Sequence, residues 1–352
     1  MKIIHTSDLH IGSLLTSRLA PRAAQIRRRE LLSTLDKIIA EARTLGASVI
    51  IIAGDLFDSA RVTKSIKTRI YNTIERACDI SFIYTPGNHE GDTVIKDTIP
   101  RNLIVLSGEE WSYHTIENVS FAARSTFGDA MFDSYRPRAK VNIAILHAEL
   151  GSYKENSIPP EQAKNRGLDY IALGHYHTYG ATKIDEKCYA VYSGTPHGRG
   201  FDEIGEVGYV LIDTDTFPTV HKFMPLSSRR VFIRQVNITG AEKLSEIERR
   251  IRNESKDVKS ADLLRIELVG ERTPDFLPNT QAIYDIFANN YFHFEIKDNT
   301  RIKIDVEAIR YDKTLKGEFI RLVYKDDSLG EIEKDKIIDF GIRALMQETP
   351  DE

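Results

Sequence analysis

Five apolar runs in this chain each end in side chains that can bind a metal or move a proton. Asp8 and His10 follow "KIIHTS", Asp55 follows "VIIIAG", and Asn88 and His89 follow "FIYTPG". His147 follows "NIAIL", and His175 and His177 follow "YIALG". Residues two apart in an extended segment point to the same side about 6.5 Å apart, so Asp8 and His10 can grip one ion together. His175 and His177 can each face a different ion where two ions lie about 3.5–4 Å apart. One carboxylate offering an oxygen to each ion would hold that spacing, and Asp55 is the natural candidate. The donors are oxygen and nitrogen with no thiolate, which suits Mn, Fe, Zn or in part Mg and argues against a closed structural zinc site. Two such ions bind one water between them, lower its pKa and yield a bridging hydroxide able to attack phosphorus in line. The leaving oxygen then needs a proton from a histidine beside the metals. Asn88 is assigned as a ligand and His89 as that acid, with Asp58 of "GDLFD" orienting His89 and keeping it protonated.

The elements that must position these groups alternate between strand and helix. "KIIHTSD" reads as a short buried strand and "SVIIIAGD" as a β-branched one, and "ISFIYTPGNHE" is a third strand running into a loop. Between them, residues 20–46 read as one amphipathic helix with Leu31, Leu35, Ile38, Ile39 and Ala42 on a stripe. A second helix carries Ile66, Ile70 and Ile74. This βαβαβ order predicts a mostly parallel sheet covered by helices, with ligands at the carboxyl ends of the strands. Short strands follow in "LIVLS", "WSYHTI", "VSFAA", "VNIAILH", "DYIALGH", "CYAVYSG" and "GYVLID", so a second sheet packs on the first. The expected fold class is α/β, a two-sheet α/β/β/α sandwich over 1–226. A small α+β domain over 227–304 and a charged helical tail over 305–352 follow it.

The chain has 352 residues, 41% of them hydrophobic, and a formal net charge of −4. That balance excludes a globally basic nucleic-acid binder, so any anionic substrate must be held by a local basic patch or by metal. Cys78 and Cys188 are far apart with no CxxC spacing, which argues against a disulfide framework and fits a reducing compartment. No signal peptide is visible at "MKIIHTSD", and no apolar run approaches the ~20 residues of a membrane span. Cytoplasm is the expected location.

"DLH", "GDLFD", "GNHE", a lone "LH" and "GHYH", in that order, resemble the calcineurin-like metallophosphoesterase superfamily. That resemblance covers roughly the first 200 residues and implies a pair of sheets flanked by helices. It also implies one metal held by Asp8, His10, Asp55 and His177, and another by Asp55, Asn88, His147 and His175. "HTSDLHIG", "AGDLFDS" and "YSGTPHGRGFDEIGEVGY" further resemble the SbcD-type DNA repair exonucleases. The implied properties are manganese-dependent exonucleolytic and endonucleolytic cleavage of DNA, a capping domain over 227–304 that helps grip DNA, dimerisation, and an SbcC-type coiled-coil ATPase partner. Asp58 stands where archaeal and eukaryotic members tend to carry histidine. A protein phosphatase or a nucleotide phosphodiesterase of the same superfamily is the alternative. "GDxVDRG" of the former is absent, since Ser59 and Ala60 follow Asp58, and a small substrate needs neither the extra domain nor the tail.

Other residues leave two readings open. His197 in "GTPHGRG" touches phosphate or fills a loop, and Arg199, between glycines, is suited to reach a phosphate. The run Arg18, Arg22, Arg27, Arg28, Arg29 is a solvated helix face or a contact to DNA phosphates. Tyr153 is a candidate to stack on a base. His5 reads as a core or supporting residue, and His114, His221 and His293 as packing. In the tail, Phe319, Leu322, Val323, Ile337, Ile338, Ile342 and Leu345 pack on their own domain or dock the ATPase coiled coil.

Overall fold

The computed structural model describes residues 1–15, 19–59, 62–87, 98–128, 131–151, 157–226 and 229–345. The sequence-predicted Asn88, His89, Tyr153 and Arg18 lie outside these described residues. Two compact units divide the chain. The first comprises Met1–Ile233, Val258–Arg265 and Phe287–Phe294, and the second Arg234–Asp257, Ile266–Ile286 and Glu295–Glu352.

The first unit opens with β1 (Lys2–Thr6), α1 (Pro21–Leu32), α2 (Thr34–Leu45), β2 (Ala47–Ala53), α3 (Lys64–Arg76), β3 (Ser81–Thr85) and β4 (Leu103–Val105). It continues with β5 (Ser112–Ile116), β6 (Val119–Ala123), β7 (Val141–His147), the two-residue strands β8 (Glu149–Leu150) and β9 (Ser157–Ile158), and α4 (Pro160–Ala163). Then come β10 (Tyr170–Gly174), β11 (Gly180–Lys183), β12 (Tyr189–Tyr192), β13 (Gly208–Asp213) and β14 (Val220–Pro225). One six-stranded sheet has the order β14-β13-β1-β2-β3-β4, the other β11-β12-β10-β7-β6-β5. The central strands β1 to β4 run parallel, as do β6, β7, β10 and β12, while β5, β11, β13 and β14 pair antiparallel at the flanks.

Alternate residues of each strand fill two different layers, as the two-residue period of a strand requires. Ile3, Val49, Ile51, Ile83 and Ile212 of the first sheet meet Phe121, Ile143, Ile145, Tyr170 and Val191 of the second. Ile4, Ile50, Ile52, Phe82 and Tyr84 face the other way and pack under Leu35, Ile38, Ile39, Ile70 and Ile74 of α2 and α3. Beyond the second sheet, Trp111, Phe132 and Tyr135 cover Ala144, Leu146, Ile171 and Leu173. Each fully buried aliphatic side chain contributes roughly 1.5–3 kcal/mol, and the inter-sheet layer fixes how the strand ends line up.

The structure differs from the sequence reading in two local respects. The expected single helix over 20–46 is broken at Ser33 into α1 and α2. The Ser33 and Thr34 hydroxyls donate to the Glu30 carbonyl at 2.8 and 3.2 Å, competing with the helical ladder. Gly46 then ends α2 in the left-handed conformation at φ 70°. The outermost strands β11 and β14 were not anticipated, because "GATK" and "VHKFMP" are largely exposed and carry no continuous apolar run.

The second unit draws on β15 (Val231–Asn237), α5 (Leu244–Glu254), β16 (Leu263–Val269), β17 (Glu271–Arg272), α6 (Thr280–Phe287), β18 (His293–Asp298) and β19 (Arg301–Ile302). It ends with α7 (Val306–Arg310), α8 (Leu315–Lys325) and α9 (Glu331–Leu345). Ile320, Val323, Ile338 and Ile342 close a small core between α8 and α9, whereas Leu322, Ile332 and Phe340 are exposed. No described helix is long and apolar enough to cross a membrane.

His5 joins the two sheets. Its Nδ1 lies 2.9 Å from the Tyr170 hydroxyl, and the ring is wholly buried, which pulls its pKa down to about 3. The unfolded chain protonates this imidazole near pH 6.5 while the folded one does not. Its contribution to stability is therefore complete above that pH and is lost as pH falls toward 3. His5→Asn should cost about 1–3 kcal/mol at pH 7. Its urea midpoint should fall less steeply from pH 6.5 to 4, with the wild type losing about 1 kcal/mol more per pH unit. Parallel curves for the two proteins would contradict this role.

Candidate metal centre

The parallel strands β1, β2, β7 and β10 bring Asp8, His10, Asp55, His147, His175 and His177 to one edge of the paired sheets. The loops beyond β1 and β2 stay knitted together after the sheet ends. The Asp8 amide donates to the Gly54 carbonyl at 3.2 Å, His10 to Asp55 at 2.9 Å and Ile11 to Leu56 at 2.9 Å. Holding that path requires unusual backbone. Asp8, His10, Asp55 and His175 have φ of 51°, 46°, 48° and 94°. Among the described residues only Leu15, Glu117 and Asn165 share such angles without being glycine. Each left-handed residue costs on the order of 1–2 kcal/mol, and strain of this kind collects where a site demands it.

Two glycines make room for the donors. A Cβ on Gly54, at φ 89°, would run into the His147 imidazole, and one on Gly87 would run into the Asp55 carboxylate and lie 2.6 Å from its backbone nitrogen. "AGD" and "PGN" are therefore spacing devices, because only a bare Cα lets these strand ends close on each other.

Two triads emerge. Asp8, His10 and His177 each offer a ligand atom within 4.8 Å of the other two, and so do Asp8, Asp55 and His147. The Nε2 atoms of His10 and His177 are 3.3 Å apart. Asp55 Oδ2 lies 3.7 Å from His10 Nε2 and 3.4 Å from His147 Nε2, so it sits between the groups, while Asp8 belongs to both. His175 stands outside the triads. Its backbone amide donates to both Asp8 oxygens at 3.2 Å, and its exposed ring stands edge-on to His147 with centroids 5.5 Å apart.

The electrostatics favour a cation. Asp8 and Asp55 are 0% and 2% exposed, and buried anions are costly unless paired. Burial raises the Asp8 pKa against the pull of His147 and His177. Burial also lowers His10 and His175. His147 goes the other way: burial works to lower it, but Asp55, Asp8 and the Ala53 carbonyl together lift it to about 9. A proton on His147 thus places positive charge beside these carboxylates. Divalent ions would place more there and displace that proton. The mixed O/N donor set fits such ions, and the absence of thiolate among these donors excludes a Cys-based structural site.

Supporting contacts fix the rings. His147 Nδ1 lies 3.0 Å from the Ala53 carbonyl. Asp58 Oδ1 lies 3.4 Å from His10 Nδ1 and accepts from Arg199 Nη1 at 3.2 Å. Burial would raise the Asp58 pKa, but His10 and Arg199 outweigh it and the net shift is downward. Glu203, to which the sequence reading gave no role, lies 2.9 Å from His177 Nδ1 and binds Arg199 through both oxygens. Its pKa falls to about 2, burial being overcome by His177 and Arg199. The only sequence signal for it was an acid four residues after Arg199 in a stretch without periodicity.

The expected phosphate contacts need correction. Arg27 is 0% exposed, pairs with Glu30 Oε2 at 2.6 Å and donates to the Gly198 carbonyl, so it braces the 195–203 loop and faces no solvent. Arg199 is 6% exposed and clamped by Glu203 and Asp58, and a guanidinium so engaged does not reach out to phosphate. His197 is 3% exposed and fills its loop, its pKa driven well down by burial and by Arg27 and Lys37. Arg28 is half-buried, and Arg22 and Arg29 are exposed.

Residues 1–179, just over half of the chain, match the family described as Calcineurin-like phosphoesterase. The chain belongs to that family. This calcineurin-like phosphoesterase is also distantly homologous to Mre11 and SbcD nucleases over most of its length. It is 26% identical to the DNA double-strand break repair protein Mre11 of Methanopyrus kandleri, over 72% of this chain and 62% of that one. With the Mre11 protein of Saccharolobus solfataricus the figure is 24%, over 60% of each chain. It is 23% identical to the SbcD component of the nuclease SbcCD from Staphylococcus epidermidis, over 96% of this chain and 97% of that one. The phosphoesterase thus spans about three fifths of the length of the two Mre11 relatives.

Gly87→Ala tests the spacing argument. The added methyl should push Asp55 out of place and weaken Mn²⁺ binding by at least about 10-fold, as displaced ligand support does elsewhere. Calorimetric titration of the folded variant reads this. An unchanged affinity would mean that the Gly87–Asp55 approach does not shape the site.

Proposed function

We propose that this phosphoesterase is a two-metal nuclease that hydrolyses DNA phosphodiester bonds, as an exonuclease and an endonuclease, in double-strand-break repair. The observation that carries this reading is the pair of triads sharing Asp8, set in a chain whose relatives are named as a DNA double-strand break repair protein and a nuclease component. Asp8, His10, Asp55 and His177 would hold one ion, and Asp55, Asn88, His147 and His175 the other, with Mn²⁺ the proposed metal. When bound, divalent ions supply positive charge for the phosphate oxygens and acidify the attacking water.

The chain's own residues supply orientation and proton transfer. The Ala53 carbonyl, opposite His147 Nδ1, and Asp58, opposite His10 Nδ1, turn the Nε2 atoms of these rings toward Asp55. The His175 amide holds the Asp8 carboxylate, and the Thr195 hydroxyl donates to the Asp8 carbonyl at 3.0 Å. His89, adjacent to the proposed ligand Asn88, is assigned the proton for the leaving oxygen on sequence grounds.

With a net charge of −4, DNA would be met by local contacts. Arg22, Arg28 and Arg29 on α1 are the proposed ones, Arg27 being turned inward. The proposed plan assigns 227–304 to capping and DNA binding and 305–352 to an SbcC-type ATPase partner. The exposed Leu322, Ile332 and Phe340 on α8 and α9 support the second assignment.

Four substrates offered with Mn²⁺ separate the superfamily's activities: end-labelled duplex DNA, single-stranded DNA, a phosphopeptide and bis-p-nitrophenyl phosphate. The wild type should cut DNA and the diester and spare the phosphopeptide. His89→Ala should lower the DNA rate by about 10²–10⁴-fold while Mn²⁺ uptake is retained. Turnover of the phosphopeptide with intact DNA would overturn the nuclease reading in favour of a phosphatase.

A further inference from the structure

His10 and His177 are held differently from His147. The Nδ1 of His147 faces a backbone carbonyl, that of Ala53, at 3.0 Å. The Nδ1 atoms of His10 and His177 face side-chain carboxylates instead, Asp58 at 3.4 Å and Glu203 at 2.9 Å. These two carboxylates come from distant parts of the chain and meet on one guanidinium. Arg199 Nη1 donates to Asp58 Oδ1 at 3.2 Å, while Nε and Nη2 donate to Glu203 Oε1 at 2.8 and 2.6 Å. The Arg199 amide adds a bond to Glu203 Oε2 at 2.6 Å. A single planar fork therefore sets the separation of the two carboxylates, and each carboxylate faces one ring. On the far side of those rings the Nε2 atoms converge to 3.3 Å.

The geometry points to Arg199 as a positioning residue for one half of the metal centre: through Asp58 and Glu203 it orients His10 and His177, whereas His147 is oriented by the Ala53 carbonyl. Arg199 Nη2 also lies 3.3 Å from His177 Nδ1. That nitrogen is nearer to Glu203, and Nη2 is already committed to Glu203, so we assign the proton to Nδ1, donated to Glu203. This tautomer leaves the Nε2 lone pair of His177 free to ligate. Lysine could replace the charge of Arg199 but not its fork, since an ammonium is a point charge that cannot hold two carboxylates in one plane. Its place between glycines in the sequence suits Arg199 to reach a phosphate. At 6% exposure and with these partners it acts behind the ligands.

This inference rests on reading the cluster as a two-ion centre, and the test separates the two claims. Mn²⁺ is titrated into the full-length chain and followed by electron paramagnetic resonance, for wild type, Arg199→Met, Arg199→Lys and Glu203→Gln. The wild type should take up two ions and show a spin-coupled pair. Each variant should keep one ion within about 2-fold of its wild-type affinity and bind the other about 10–100-fold more weakly. The coupled signal should give way to that of an isolated Mn²⁺. Should Arg199→Met fail to melt cooperatively, Arg199→Lys decides the matter, because it retains the buried charge. Two undiminished ions in folded Arg199→Lys and Glu203→Gln would overturn the inference while leaving the two-ion reading intact. Fewer than two ions in the wild type would overturn both.

Discussion

Two aspartates buried at the ends of parallel strands, Asp8 and Asp55, impose the constraint around which the first unit is organised. An ionised carboxylate out of water is tolerated only with compensating positive charge and hydrogen bonds. The chain itself contributes the His175 amide, flanking imidazoles and a proton attracted to His147. The fold nevertheless brings these groups together, at the expense of left-handed backbone at Asp8, His10, Asp55 and His175. A chain selected only for stability would have no reason to place anions there. The donor set is of the kind that binds divalent cations.

The supporting shell around these donors has an unequal design. One half leans on the backbone of β2, through the Ala53 carbonyl. The other leans on side chains joined by Arg199, which reaches in from the 195–203 loop, and that loop is itself braced by Arg27 at the Gly198 carbonyl. Backbone support is as rigid as the sheet. Side-chain support is adjustable by substitution, so the two halves of such a site can diverge in metal preference without any change in the ligands themselves.

Much of this was legible in the sequence because strands encode it locally. An apolar run of β-branched residues followed by an acid or an imidazole identifies both the strand and the end that carries the chemistry, and β1, β2, β7 and β10 each follow that rule. The layers were legible for the same reason. What escaped depends on closure of the chain in space. Glu203 and the inward turn of Arg27 and Arg199 belong to segments with no periodicity, and nothing local distinguishes an arginine that reaches for phosphate from one that holds a loop. The break at Ser33 was hidden in a continuous amphipathic stripe, since it arises from hydroxyl competition for one carbonyl. The edge strands β11 and β14 lacked an apolar signature because one or both of their faces meet solvent.

The family and the cluster together account for metal-assisted phosphoester chemistry, and the choice of DNA as substrate depends on surfaces beyond the ligands. The central claim is narrower and comes first: the strand ends form a pocket for two cations. Anomalous diffraction at the manganese edge, from crystals grown with Mn²⁺, tests it directly. The account predicts two peaks, one ringed by Asp8, His10 and His177 and the other against Asp55 and His147. A single peak, or none within reach of Asp8, would contradict it.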